Sequence, residues 1–221
     1  LVGLAASAAV GAGLAFLVGL PALRLRGLYL AVVTISISYA CSESLFRVER
    51  IGGGSAGKVV PPPYIGTDAV ATSVEHLSIA LALLVLVWQV DVNLTRSRLG
   101  RAFRAVKADE GVAASFGVDV ARAKLTAFAI SGAIAGLAGC VYGTAFGTVT
   151  GQAFTYSESL ALLVVVVVGG IGSRAGVVSA ALLMSVYPEV LTGVFGDGIR
   201  GYDQVFNGLL LLFVVAFQPR G

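Results

Sequence analysis

The chain has 221 residues, of which 57% are hydrophobic and only 12% are charged, and its formal net charge is +3. A soluble globular domain carries about 25% charged residues, so this composition excludes an ordinary soluble domain and predicts an integral membrane protein. The two cysteines, Cys41 and Cys140, lie far apart in apolar runs without the spacing of metal ligands. We therefore expect both to be small buried hydrophobic residues.

Apolar runs separated by short polar stretches predict about seven transmembrane spans. The fold class that follows is all-α, a polytopic membrane helical bundle in which residues 1–221 form a single transmembrane domain. The third run has only 14 residues, whereas about 20 are needed to cross the hydrocarbon, so we expect it either to recruit flanking residues or to lie in a thinned part of the bilayer. The fifth and sixth runs flank the glycine turn GGIGSRAG and form either two short spans or one broken hairpin. The predicted spans are 1–20, 28–45, 77–90, 125–146, 160–170, 177–190 and 205–217.

One long polar stretch, called here the charged segment, interrupts the apolar sequence at residues 97–124. Apolar residues recur inside it roughly at helical spacing, which predicts a pair of helices lying outside the lipid. A polar surface this rich in charged residues is unusual between membrane spans, so we infer that it docks a soluble partner. Its charged residues are Arg98, Arg101, Arg104, Lys107, Asp109, Glu110, Asp119, Arg122 and Lys124.

The distribution of basic residues predicts the orientation of the chain in the membrane. With the charged segment (with its flank, about 96–124) in the cytoplasm and the spans alternating, 11 of the 15 Lys and Arg residues fall inside and 4 outside. This asymmetry obeys the positive-inside rule. It places the C-terminus inside and the Gly- and Pro-rich loop at about 50–76 outside the cell.

The fourth span carries small residues at four-residue spacing. Gly132 and Gly136 lie on one row of the helix, and Gly139 and Gly143 lie on the neighbouring row. Such rows let helix backbones approach closely, because packing contacts must drive helix association in lipid. We predict ordinary helix packing for these four glycines, with a substrate path against the same face as the alternative.

Two glycine-rich motifs imitate nucleotide-binding loops. GGGSAGKV at 52–59 lacks the final hydroxyl of a phosphate-binding loop, and prolines follow it instead of a helix. VVVVVGGIGSRAG at 164–176 imitates a strand and a dinucleotide-binding turn, but the next run has no polar face for solvent. A tight turn between two membrane helices explains the same glycines, so we predict no nucleotide site at either motif.

No constellation of catalytic side chains is apparent in the sequence. His76 is the sole histidine and lies at the edge of a span, which excludes a multi-histidine metal site and disfavours a His-based triad. Glu158 and Glu189 lie near span ends, where solvated carboxylates are the ordinary case. We therefore predict no catalytic residue, no metal site and no cofactor bound by this chain.

Five sequence segments occur in a fixed order along the chain. They are LRLRGLYLAVVTISIS at 23–38, IGGGSAG at 51–57, a long segment at 97–143, GGIGSRAGVVSAAL at 169–182 and FQPRG at 217–221. In this order they resemble the permease subunits of branched-chain amino acid ABC importers, the LivM type. The segment at 97–143, which contains the charged segment, is the most specific of the five.

The resemblance implies a role for the charged segment. In ABC importers a cytoplasmic loop of the permease inserts a coupling helix into a groove of the ATPase subunit, and Glu110, Ala113, Ala114 and Gly117 resemble the E-x-x-A-A-x-x-G core of that loop. Small residues let the coupling helix pack closely in the groove, and glycine permits a sharp turn of the chain at the end of that helix. The residues predicted to couple to the ATPase are Arg101, Arg104, Asp109, Glu110, Ala113, Ala114 and Gly117.

The resemblance also implies partners and a location. The partners are a second permease subunit of the LivH type, two ABC ATPase subunits that use ATP and Mg²⁺, a periplasmic or lipid-anchored solute-binding protein and membrane lipid, with no nucleic acid. The location is the bacterial cytoplasmic (inner) membrane. Family members are longer at the N-terminus, so upstream spans are expected to be missing here.

The transported solute follows less directly from the resemblance. The segment at 51–57 falls where the family has TGG-S-x-G, with Gly52 in place of threonine and Ala56 in place of an acidic residue. A branched-chain or other hydrophobic amino acid is the leading substrate, and urea or short-chain amides are the alternative. A secondary transporter that needs no ATPase is a different class, and it leaves the charged segment unexplained. The residues assigned to the substrate path or gate are Gly53, Gly54, Ser55 and Gly57.

Overall fold

The computed structural model describes residues 2–23, 28–45, 48, 52–54, 57–61, 64–65, 68–69, 73–170 and 172–195. These residues belong to two compact units, Leu1–Ala153 and Phe154–Gly221, which are described separately below. The prediction of a single domain stays a prediction.

The first unit is built from helices joined by short turns and four very short strands. In the described ranges, its four long apolar helices and its two short helices follow the predicted order of spans and charged segment. The helices are α1 (Val2–Ala22), α2 (Leu28–Leu45), α3 (Ser73–Arg96), α4 (Arg98–Ala108), α5 (Glu110–Ser115) and α6 (Val120–Phe146).

Helix α3 shows how a short apolar run becomes a span. The predicted run at 77–90 extends at both ends into a helix of 24 residues, with Glu75 in its first turn and Arg96 in its last. At 1.5 Å per residue this helix is about 36 Å long, enough to cross about 30 Å of hydrocarbon. The prediction that the third run recruits flanking residues is confirmed.

The main packing contact of the first unit joins α1 to α6 as antiparallel neighbours. Gly11 of α1 lies against Gly132 and Gly136 of α6, and Gly19 lies against Leu125 and Phe128. By contrast, large apolar side chains elsewhere on α1 and on α2 and α3 are exposed. An apolar outer surface is what lipid-facing helices present, because the acyl chains cover it.

Two antiparallel strand pairs lie between the helices of the first unit. β1 (Lys58–Val59) pairs with β4 (Thr148–Val149), and β2 (Tyr64–Ile65) pairs with β3 (Asp68–Ala69). The backbone N–H of Val60 also donates to the Gly147 carbonyl at 2.9 Å. These bonds hold part of the Gly- and Pro-rich loop against the end of α6.

The second unit, described over residues 154–195, is a helical hairpin of α7 (Tyr156–Gly169) and α8 (Arg174–Phe195). The hairpin closes on two glycines: a Cβ atom added at Gly176 would overlap the Gly169 carbonyl, and one at Gly169 would lie 2.5 Å from the Val177 Cα. The Ser173 hydroxyl accepts from the Gly176 N–H at 3.1 Å and caps α8. The valines before the turn are helical, so the glycines make a helix–helix turn.

Within the described ranges, three helices are long and apolar enough to cross a membrane: Val2–Pro21, Val74–Arg96 and Val120–Phe146. The predicted run at 28–45 coincides with α2, and those at 160–170 and 177–190 fall in α7 and α8. The run at 205–217 lies outside the described residues. A helical membrane protein is therefore what the structure supports, and the number seven stays a prediction.

Candidate functional site

The charged segment begins with a sharp turn between α3 and α4. Ser97 caps α4, because its hydroxyl oxygen accepts from the Gly100 N–H at 3.3 Å, and the same hydroxyl donates to the Leu94 carbonyl at 2.6 Å. Gly100 is buried in this turn, where an added Cβ atom would lie 2.5 Å from the Thr95 carbonyl oxygen. The close approach of α4 to the end of α3 therefore requires glycine at this position.

Helix α4 separates its charged and apolar residues onto two faces. Phe103 and Val106 are half-buried, and the basic side chains point outward. No acidic residue interrupts the basic face, because the sequence of α4 is RLGRAFRAVKA. The predicted coupling residues Arg101 and Arg104 both belong to this face. The exposed basic residues of α4 are Arg98, Arg101, Arg104 and Lys107.

Asp109 forms the joint between α4 and α5. Its backbone is extended, with φ −160° and ψ 122°, and its N–H closes α4 on the Ala105 carbonyl at 3.1 Å. Its carboxylate then accepts from the Val112 N–H at 2.8 Å, which caps the start of α5. Asp109, a predicted coupling residue, thus ends α4 and begins α5, and its extended backbone sets the angle between the two helices.

Gly117 ends α5 in the way that the predicted motif requires. Its φ is +81°, its N–H donates to the Ala114 carbonyl and the Val118 N–H donates to the Ala113 carbonyl, both at 3.0 Å. These two bonds form a Schellman motif, whose left-handed residue is most often glycine. The two alanines of the motif face different ways, because Ala113 is buried and Ala114 is exposed.

An ion pair joins α5 to the start of α6. Lys124 Nζ lies 2.6 Å from Glu110 Oε1, and both side chains are partly shielded from solvent. Asp119 caps α6, since its Oδ1 accepts from the Arg122 N–H at 3.0 Å. The charged segment is therefore a capped helix pair anchored to the first turns of a membrane-spanning helix.

Sequence reasoning missed two contributors to this site. Gly100 was not singled out, although glycine three residues after a capping serine was a usable signal. Val112 and Phe116 project from α5 with large exposed apolar side chains, 54% and 84% accessible. Phe116 is the C-terminal cap of α5, and the Schellman turn at Gly117 leaves its side chain exposed.

The glycine-rich segment lies at the other end of α6. Gly53, Gly54 and Gly57 all have positive φ, between 65° and 75°. A Cβ atom at Gly57 would lie 2.8 Å from the Val149 carbonyl oxygen, so this glycine permits the contact with β4. Ser55, also assigned to the substrate path or gate, lies outside the described residues.

The two glycine rows of α6 have different surroundings. Gly132 and Gly136 lie against the backbone of α1, where an added Cβ atom would overlap the carbonyl oxygens of Gly11 and Ser7 respectively. Among the described residues, nothing lies within 4 Å of a Cβ atom added at Gly139. Gly143 contacts β4 rather than a helix, since its Cβ position lies 3.0 Å from a Val149 methyl group.

An apolar groove runs between α3 and α6, with a volume of about 400 Å³. Its walls include Leu83 and Val87 of α3 and Ile134 and Leu137 of α6, and among the described lining residues Tyr142 alone carries a hydroxyl group. A surface of this kind offers nothing to pair with the charged ends of an amino acid. In the described part of the chain, moreover, no three His, Cys, Asp or Glu side chains lie together as a metal site.

Comparison with known proteins identifies the family of the chain. Residues 1–215 match the family described as branched-chain amino acid transport system, permease component. The chain belongs to this family. The permease family accounts for the apolar helices, and the protein is membrane-embedded and multi-pass.

Individual relatives agree with the family match. The chain is 34% identical to the high-affinity branched-chain amino acid permease protein LivM of Escherichia coli, over 96% of this chain and 54% of that protein. It is 26% identical to a probable LivM protein of Methanocaldococcus jannaschii, over 94% of this chain and 64% of the relative. It is also 26% identical to LivH of Salmonella typhimurium, over 85% and 63% of the two chains. The chain spans about half the length of the LivM protein of Escherichia coli, and no solved structure matches it.

Proposed function

We propose that this chain is the permease subunit of an ABC importer that carries branched-chain or other hydrophobic amino acids across the bacterial inner membrane. The observation that carries the proposal is the construction of the charged segment: two capped helices protrude beside a spanning helix and are tied to it by the Glu110–Lys124 ion pair. Family membership supports the same function.

The proposed coupling works through α6. Separate ATPase subunits bind ATP and Mg²⁺, and their closure displaces the helix pair α4–α5. Because Glu110 is paired to Lys124 near the start of α6, displacement of α5 pulls on that helix. This chain itself performs no ATP chemistry in the proposed mechanism. It is a transport subunit rather than an enzyme.

The remaining subunits follow from the relatives. Similarity to both LivM and LivH proteins supports a second, related permease in the same complex. We propose that the complex contains this chain, a LivH-type permease, two ATPases and an extracytoplasmic solute-binding protein. The charged segment faces the cytoplasm in this arrangement, and the glycine-rich segment faces the binding protein.

Co-purification from the native operon tests the proposal. The chain is affinity-purified in mild detergent, as wild type and as Glu110→Arg and Gly117→Leu, and the bound subunits are identified by mass spectrometry. Gly147→Leu is the matched control, because Gly147 also has positive φ in open space but ends α6 at its opposite end.

We expect wild type and Gly147→Leu to retain two ATPases and a second permease, and both charged-segment variants to lose the ATPases. Uptake of labelled leucine, with urea as competitor, assigns the solute. A wild-type preparation that contains no ATPase subunit would contradict the importer function and favour a secondary transporter.

A further inference from the structure

One exposed side of α2 carries a row of mostly polar residues. Its members are three or four residues apart along the helix, so they lie on the same side of it. Tyr29, Val32 and Tyr39 are 74%, 55% and 56% accessible, and Ser36 and Glu43 are also exposed. These five residues, called here the α2 row, follow the helix from its second residue to its sixteenth. Four of the five side chains can form hydrogen bonds.

The composition of α2 differs from that of its neighbour α1. Across 21 residues α1 has one hydroxyl side chain, Ser7, which donates to the Leu4 carbonyl at 2.9 Å. Across 18 residues α2 has eight side chains with a hydroxyl or carboxylate group. Polar groups are costly in hydrocarbon, and within a membrane they mark contacts with water, solutes or other polar groups. We therefore expect α2 to have polar surroundings.

Ser36 and Tyr39 lie too deep to reach the membrane surface. At 1.5 Å per residue, Ser36 is about 12 Å from the first residue of α2 and about 14 Å from the last, close to the middle of the helix. Side chains of an α-helix tilt toward its N-terminus, so the Tyr39 phenol, in the second half of α2, leans toward the membrane centre. Tyr29, by contrast, lies near a helix end, where tyrosine is common at the membrane surface.

The α2 row does not suit close packing against another helix. The contact between α1 and α6 shows such packing, with Gly11 of α1 against Gly132 and Gly136 of α6. Contacts of this kind depend on small residues, which let two helix backbones approach. The α2 row instead presents two tyrosines, a valine and a glutamate beside one serine. These larger side chains hold a facing helix away and leave room for water.

We propose that the α2 row lines a water-filled path for the transported solute, and that Ser36 and Tyr39 form hydrogen bonds with that solute near the middle of the membrane. The Ser36 hydroxyl already donates to the Val32 carbonyl at 2.8 Å, so its oxygen is left to accept a hydrogen bond from an ammonium group. The Tyr39 hydroxyl can donate to a carboxylate. Together the two hydroxyls fit the charged ends of an amino acid.

This inference rests on the proposed function and deepens it, because it names side chains of the solute path. Cysteine labelling tests whether water reaches them. In a background of Cys41→Ala and Cys140→Ala, Ser36→Cys or Tyr39→Cys is expressed from the native operon. Membrane vesicles are treated with a charged methanethiosulfonate, which reacts with thiolates in water. Val85→Cys is the control, because Val85 is 67% accessible and also lies near the middle of a spanning helix, α3.

We expect both row positions to react at least about tenfold faster than Val85→Cys, because the thiolate, which needs water, is the reactive form. Added leucine should slow the reaction at Ser36→Cys and Tyr39→Cys. Ser38→Cys, two residues away on another, half-buried side of α2, should show no effect of leucine. Row positions that react no faster than Val85→Cys would overturn the inference, whether lipid or another helix covers them.

Uptake kinetics test the two hydrogen bonds. Ser36→Ala and Tyr39→Phe are each expected to raise the KM for leucine about two- to tenfold, the usual effect of losing one hydrogen bond. Ser42→Ala is the matched control: its hydroxyl also donates to a carbonyl of its own helix, that of Tyr39 at 2.9 Å, but from a different side of α2. It should leave KM unchanged. An unchanged KM in both row variants would overturn the contact with the solute.

Failure of the inference and failure of the proposed function give different results. If wild-type vesicles take up no leucine and contain no ATPase, the proposed function fails, whatever the labelling shows. If wild type takes up leucine while the row positions stay unlabelled, the importer function stands and the α2 row is not part of the path.

Discussion

Lys124 Nζ lies 2.6 Å from Glu110 Oε1, and this ion pair joins the first residue of α5 to the fifth residue of α6. The two side chains are 23% and 34% accessible, so solvent screens the pair only in part. Together with the short connection 116–119, this ion pair is a route through which movement of α5 can reach the spanning helix.

A double-mutant cycle on Glu110→Gln and Lys124→Met is expected to give a coupling energy of about 1 kcal/mol, as partly exposed pairs do. Thermal unfolding of the detergent-solubilised protein measures the stability of all four forms. Arg122→Ala is the control, because the Arg122–Asp119 pair is more exposed and should contribute little. A coupling energy near zero would show that the pair does not hold α5 to α6.

Gly136→Ala should separate α1 from α6, because the added methyl group would overlap the Ser7 carbonyl oxygen. We expect a loss of about 1 to 3 kcal/mol, as for overpacked sites. Gly139→Ala is the matched variant on the neighbouring row, where the described residues leave open space, and it should be neutral or slightly stabilising. Equal thermal stability of the two variants in detergent would contradict the α1–α6 contact.

Replacement of Gly117 tests the left-handed backbone conformation of this residue rather than the steric room for a side chain. Its φ is +81° and the described residues leave its Cβ position open, so the cost of substitution depends on how well the new residue tolerates left-handed backbone. Gly117→Val is expected to cost on the order of 1 to 3 kcal/mol and Gly117→Asn clearly less. Stability and ATPase retention should fall in the same order, and a valine variant equal to the asparagine variant would refute the Schellman turn.

Gly100→Ala is expected to shift α4 away from the end of α3, since its methyl group would meet the carbonyl oxygens of Leu94 and Thr95. Limited trypsin digestion should then cut at Arg101 or Arg104 faster than in wild type. Gly111→Ala is the control glycine, because among the described residues its added methyl group meets only the Asp109 carboxylate, at 3.2 Å. Unchanged digestion of Gly100→Ala would show that α4 tolerates the added methyl group.

Much of the fold was predictable because apolar run length and charge position are local properties. The bounds of α2 matched the predicted span, and the charged segment formed the expected helix pair. Capping residues such as Asp109 and Asp119 carry their structural signal in the sequence itself.

The remaining features of the fold and of the candidate site depend on tertiary contacts, which cannot be read from the sequence. Gly132 and Gly139 are alike in sequence, and only the position of α1 makes one a contact and leaves the other open. Likewise, the apolar spacing within the charged segment does not reveal that the Schellman turn leaves the Phe116 side chain exposed.

Helix α6 connects the charged segment at one end to the glycine-rich segment at the other without a break over 27 residues. A continuous helix of this length is about 40 Å long, so a tilt of only about 5° about its charged end displaces the opposite end by about 3.5 Å. That distance is comparable to the width of a peptide group. A small angular change at the charged end of α6 is therefore converted, by this one continuous helix, into a displacement of the contact between β1 and β4 at its other end.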